Sequence, residues 1–169
     1  MKTKRNITVL FRRKRQLKTD YNKRKRLLLS EQFRLVVRLT NHKIIAQVIT
    51  FTPKGDKVEV ALDSSELNKL GWTQSLKNLP AAYLTGMLLA KKAKQKKIEG
   101  AILDTGLISP QRGGKIYAFL KGVVDGGLNV PYGDEEVFPD QKRLQGEHLQ
   151  SNKAQVAADF KKIKDKIMH

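Results

Sequence analysis

Twelve of the first 26 residues are Lys or Arg and Asp20 is the single acid among them, so this stretch carries a formal +11. Crowding like charges to this degree constrains the chain more than any other feature. Arg12-Arg13-Lys14-Arg15, Lys18 and Lys23-Arg24-Lys25-Arg26 are not interleaved with an apolar period of useful length. Such a segment cannot bury enough surface by itself to offset its ordering entropy. It is expected to be disordered or frayed until a polyanion neutralises it, with Leu27, Leu28 and Leu29 docking it onto the body. The whole chain of 169 residues carries +18, so the remainder is only mildly basic. A field of that size attracts polyanions and opposes homo-oligomerisation. The candidate partners are nucleic acid and anionic membrane. No run approaches the ~20 apolar residues of a spanning helix. No amphipathic apolar face accompanies the charge, and Met1 to Leu10 lacks the apolar run of a signal peptide. No membrane partner is therefore expected, and Asn6-Ile7-Thr8 carries no meaning as a glycosylation triplet without export. The absence of cysteine removes disulfides, thiolate metal sites and cysteine nucleophiles, and fits a cytoplasmic protein.

Beyond the arm the pattern becomes regular. Phe33, Leu35, Val37 and Leu39 alternate with Arg34, Val36 and Arg38, which predicts a strand with one core face and one basic face. Thr40 to Lys43 reads as a turn, Ile44 to Phe51 as a second strand, Pro53 to Asp56 as a second turn, and Val58, Val60 and Leu62 as a third strand. Short turns make the three an antiparallel meander. Asp63 or Ser64 is placed to cap a short helix, with Glu66 completing a capping box from Asp63. Pro80 suits the first turn of a long helix over Asn78 to Lys97, whose lysines at 91, 92, 94, 96 and 97 complement the negative end of its dipole. Ala101 to Leu103 predicts a fourth strand ending at Asp104. Ile116 to Val124 predicts an amphipathic helix stopped by Gly126-Gly127, Pro131 to Pro139 an acidic loop, and Val156, Phe160, Ile163 and Ile167 the stripe of a last helix. The expected fold is α/β: a mixed sheet of three antiparallel strands plus a fourth, helices mainly on one side, a basic N-terminal arm and a C-terminal helix. The expected division is arm 1–29, α/β domain 30–150 and terminal helix 151–169.

Catalytic chemistry finds little support. The element order is similar to that of RNase H-like nucleases, which gather carboxylates at strand ends around two cations. Here the first strand holds no acid, and Asp104 has no obvious partner. Asp134, Glu135, Glu136 and Asp140 cluster in one loop that needs no metal to explain it. His42, His148 and His169 lack ligand spacing. Gly113-Gly114-Lys115 hints at a phosphate loop, but Ser109 and Ile116 break the nucleotide-hydrolase pattern. It offers a phosphate contact or a plain tight turn. No enzyme activity, metal or cofactor is expected. Tyr21 among cations offers a stacking surface for an unpaired base. Arg34 and Arg38 form either a phosphate rail or a solvated face. Trp72 after Gly71 suits a base stack or a core lid equally.

Several strings resemble the archaeal and eukaryotic type of the ribosomal L-eighteen family. They are Thr19-Asp20-Tyr21 with Arg24-Lys25-Arg26-Leu27-Leu28, Arg34-Leu35-Val36-Val37-Arg38, Thr40-Asn41, and Ile44-Ile45-Ala46-Gln47. Pro80-Ala81-Ala82-Tyr83-Leu84-Thr85-Gly86, Leu103-Asp104-Thr105-Gly106-Leu107, Leu120-Lys121-Gly122, Asp125-Gly126-Gly127-Leu128 and Gly146-Glu147-His148 follow in the same order. The likeness spans about residues 10 to 150. It implies a structural protein of the large ribosomal subunit that binds 5S rRNA and helps attach it to large-subunit rRNA in the central protuberance. The implied neighbours are an L-five family ribosomal protein and other central protuberance proteins. Charge and resemblance together give an expected RNA-contact set. It comprises Arg12, Arg13, Lys14, Arg15, Lys18, Thr19, Tyr21, Arg24, Lys25 and Arg26 of the arm. In the body it comprises Arg34, Arg38, Asn41, His42, Lys43, Gln47, Trp72, Arg112 and Lys115.

Overall fold

The computed structural model describes residues 9–149 and 153–168. The first eight residues, with the Asn6-Ile7-Thr8 triplet, lie outside these, as do residues 150–152 and His169.

Three strands, β1 (Arg34–Leu39), β2 (Ile44–Thr52) and β3 (Gly55–Asp63), form the expected antiparallel meander, and β4 (Ile102–Asp104) adds parallel to β1. The sheet order is β3-β2-β1-β4. The register sets Val36 beside Gln47 on one side and Asp104 on the other. The β2–β3 ladder slips at Val48/Ile49, where Glu59 is the extra residue.

The long helix α4 (Leu79–Gln95) starts where its chemistry dictates. The Asn78 carboxamide oxygen accepts the Ala81 N–H at 2.8 Å, and Pro80 sits in the first turn. The short helix α3 (Glu66–Lys69) precedes it, but the expected capping box is absent. Asp63 accepts instead from the Ser65 N–H at 2.8 Å, and Glu66 reaches Lys92 of α4. Tertiary charge pairing outcompetes the local motif. Helix α5 (Lys115–Asp125) runs against α4 with almost no space between backbones: a Cβ on Gly86 would overlap the carbonyl oxygen of Phe119, and one on Gly122 that of Tyr83. A turn of 3₁₀ helix (Glu135–Val137) and a short helix α6 (Gln141–Leu144) lead to α7 (Lys153–Met168).

The core lies between one sheet face and these helices. Leu35, Val37, Ile44, Ala46, Val48, Val60 and Leu62 meet Leu84, Met87, Phe119 and Val123. The predicted stripe Val156, Phe160, Ile163 and Ile167 is buried, and the Phe160 ring lies 5.5 Å from that of Tyr83. The last helix therefore completes the same core as residues 30–150. Burial raises the Tyr83 phenol above its ordinary value, and the hydrogen bond it donates to Asp125 at 2.7 Å adds to this.

The arm departs from expectation. Residues 12–28 fold into α1 (Arg12–Arg15) and α2 (Tyr21–Leu28). Asp20 caps α2 by accepting the N–H groups of Asn22 (2.9 Å) and Lys23 (3.1 Å). The expectation of a frayed arm is corrected for this stretch: its stability comes from the body beneath it, which the arm's own composition does not reveal. Leu27 and Leu28 are half-buried as expected of docking residues, while Leu29 faces solvent.

Candidate nucleic-acid interface

The second sheet face is the one that alternation assigned to Arg34, Val36 and Arg38. It is not open. Val36 and Ile49 are buried there, and α2 lies over them, leaving a half-open pocket of about 300 Å³ lined by Lys23, Leu27, Val36, Gln47 and Ile49 among others. Arg34 is only 2% exposed. A guanidinium that deep must be paired. Its Nη1 donates to Asp104 Oδ2 at 3.2 Å, and its Nη2 lies 2.8 Å from Asp56 Oδ2. Arg38 is partly exposed and anchors on the same loop, donating to the Asp104 carbonyl at 2.9 Å and to its own neighbour Val37 at 2.8 Å. The expectation that this face is a free basic rail is corrected. The burial of Arg34 removes it as a contact residue, and Asp104, which looked unpartnered, is its counter-charge.

Asp56 and the turn after Asp104 also fix the arm. Arg24 grips Asp56 with two parallel bonds of 2.9 Å. That hydrogen-bonded pairing raises the Arg24 guanidinium further. Burial pushes the Asp56 carboxyl up, but Arg24 and Arg34 beside it more than offset this and hold it below its ordinary value. One residue earlier, Lys23 Nζ donates to Thr105 Oγ1 and to the Gly106 carbonyl, both at 2.9 Å. Gly106 has φ +63° and its N–H closes back on Asp104 Oδ1 at 2.8 Å, so the turn presents that carbonyl to the arm. Lys23-Arg24 on α2 and Asp56 with Thr105-Gly106 on the body are thus the two halves of one lock. Asp20, Lys23, Asp56 and Asp104 were missed as site residues. Only the cap signature of Asp20 was legible locally; the others pair across 22 to 83 positions.

What the lock leaves outside is cationic. Arg12, Arg13, Lys14, Arg15, Lys18, Lys25 and Arg26 are exposed, and among the described residues none of them is within salt-bridge distance of a carboxylate. Arg13 Nε donates to Thr19 Oγ1 at 2.8 Å, which closes the turn between α1 and α2. Tyr21 is half-buried with its ring 5.1 Å from Phe11. The other expected contacts scatter. Asn41 and His42 are exposed on the β1–β2 turn, next to Lys43, which pairs with Asp63. The bond from Lys43 holds the Asp63 carboxyl below its ordinary value. Gln47 is half-buried under α2. Trp72 is buried, with Nε1 donating to the Ser75 carbonyl at 3.2 Å, so its core alternative is the one realised. Arg112 is exposed near Glu136, and Lys115 opens α5. In the Gly-Gly-Lys loop, the Gly113 and Gly114 N–H groups already bond the Val137 and Gln111 carbonyls, which favours the tight turn over a phosphate cradle. Among the described residues no three His, Asp or Glu gather as a metal site.

Residues 5–99 match the family described as ribosomal large subunit proteins 60S L5 and 50S L18. The large ribosomal subunit protein uL18 of Methanoregula boonei is 46% identical, covering 91% of this chain and 94% of that protein. The uL18 of Methanospirillum hungatei is 49% identical over 83% of this chain and 80% of its own length. The uL18 of Korarchaeum cryptofilum is 50% identical over 85% and 73%. A match over more than half the chain, with relatives near one-half identity across most of it, leaves one conclusion: this chain belongs to the uL18 family of large-subunit ribosomal proteins, and is a structural ribosomal constituent rather than an enzyme.

Proposed function

We propose that the chain binds 5S rRNA and helps attach it to large-subunit rRNA in the central protuberance, beside an L-five family protein. Its family puts it on the ribosome, in the cytoplasm, and among the described residues no helix is long and apolar enough to cross a membrane. The observation that supports RNA binding best is the unpaired cationic surface of Arg12 to Lys18, carried on short helices that are tied to the body. Those side chains, with Lys25 and Arg26, meet phosphates. Thr19, Tyr21, Asn41, His42, Lys43, Gln47, Arg112 and Lys115 are the secondary contacts of this reading. Arg24 and Arg34 support them from behind, Arg38 does so in part, and Trp72 serves the core. Residues 1–29 act as the RNA-binding arm and the body as a rigid platform. Folded RNA is recognised through charge and shape.

The test is affinity for 5S rRNA against a structured control RNA of equal length, across salt. Neutralising about eight phosphates gives a log–log slope of roughly −6. A clear preference for 5S rRNA with that slope is expected. Equal affinity for both RNAs would overturn the 5S assignment.

A further inference from the structure

We infer that Phe11, backed by Tyr21, is a stacking platform for one unpaired base of the bound RNA. This rests on the RNA-binding reading above and adds to it what kind of nucleotide the arm takes.

Phe11 is 70% exposed, and Val9 and Leu10 before it are 73% and 49% exposed. Three successive apolar side chains thus face water immediately ahead of four successive cations, Arg12 to Arg15. An isolated exposed apolar residue needs no explanation, but a cluster of them marks a contact. Folding does not account for this cluster: none of the three joins the core. The Phe11 ring leans on Tyr21, with centroids 5.1 Å apart and planes 49° apart. Tyr21 is the first residue of α2, directly after the cap Asp20 and three residues before the Arg24–Asp56 clasp. The aromatic pair is therefore held before any partner arrives, and less ordering entropy is lost on binding.

The surroundings select the occupant. An apolar groove on a protein satisfies the rings but leaves the cations of α1 without counter-charge. A nucleic acid satisfies both, because each base carries a π-face and is flanked by phosphates. Bases inside a duplex are already stacked, so the one that meets Phe11 must be unpaired, as in a loop or bulge. Stacking also differs from phosphate contact in its response to salt. Only the latter releases counterions.

The experiment uses the full-length protein and a 5S rRNA transcript, with Phe11→Ala, Phe11→Leu and Phe11→Trp. Phe11→Ala and Phe11→Leu are expected to weaken binding by roughly 5- to 150-fold, the range of one lost base stack, with the salt slope unchanged. Phe11→Trp retains affinity, because the π-face remains. Chemical probing finds one unpaired base protected by the wild type and by Phe11→Trp but reactive in the Phe11→Ala complex. Because the side chain is exposed, far-UV ellipticity stays at the wild-type value in all three. Full affinity in Phe11→Leu would overturn the inference, since apolar contact alone would then suffice. So would an affinity loss that comes with a shallower slope, which reports displaced cations. If the wild type itself fails to prefer 5S rRNA, the reading under Proposed function falls; if only the Phe11 variants behave as wild type, this inference alone falls.

Discussion

Arg34 sits on a strand whose alternation offers it to solvent, yet its guanidinium lies between two carboxylates at strand ends 22 and 70 positions away. Both partners of the Arg34–Asp104 pair are almost fully buried, so removing one leaves the other desolvated with fewer partners. Asp104→Ala is expected to destabilise the protein by about 3 kcal/mol, the low end for a broken buried pair because Asp56 still faces Arg34, measured as a shift of the urea midpoint. A loss typical of a surface substitution would mean that the pair is solvated. Arg34→Ala carries the same cost for the opposite reason, so an affinity loss in that variant reports the fold and not a lost RNA contact. Asp56 adds a pH dependence whose sign follows from its lowered carboxyl. A depressed folded-state value stabilises above the unfolded value, about 3.9 for Asp, and that contribution disappears as pH falls through the folded value. The arm should therefore release below about pH 4, ahead of the core. Amide exchange of α2 at pH 3 against pH 6 measures this, and equal protection at both would count against it.

Element by element, most of the fold was legible because its signals are local. The meander follows from period-two alternation between turn residues, α4 from Asn78 and Pro80, and α7 from a stripe at 3.6 spacing. The arm was the exception. Mean composition says that residues 12–28 cannot order themselves, which holds for the isolated segment. Order comes from Asp56 and from the Thr105–Gly106 turn, neither of which betrays its role in sequence. Alternation likewise gives the two faces of β1 but not which of them another element will cover. Two variants separate the lock from the surface it holds. Asp56→Asn weakens the clasp on Arg24, and is expected to speed exchange in α2 while the core retains nearly wild-type protection. Replacing Arg12, Arg13, Lys14 and Arg15 with Ala keeps the clasp and lowers the 5S rRNA salt slope by about three units. An unchanged slope in the second variant would take α1 out of the interface. Deleting residues 1–26 outright is a poorer probe, because it also uncovers Val36 and Ile49.

At the scale of the whole molecule, two contacts hold the helices to one another: the near-touching backbones of α4 and α5, and the packing of α7 on α4. The first leaves no room for a methyl group. Gly122→Ala is expected to cost about 3 kcal/mol or more, since backbone and not a flexible side chain must yield; thermal unfolding measures it. The second has a consequence in time. The chain is made from its N-terminus, and α7 follows α2 by about 125 residues, on the order of ten seconds of synthesis. Throughout that interval the cationic segment is already available, while Tyr83 and its neighbours wait for Phe160 and Ile163 to cover them. A nascent chain of this kind can capture its polyanion before its own hydrophobic interior is closed, so the order of synthesis favours assembly that begins while folding is still incomplete.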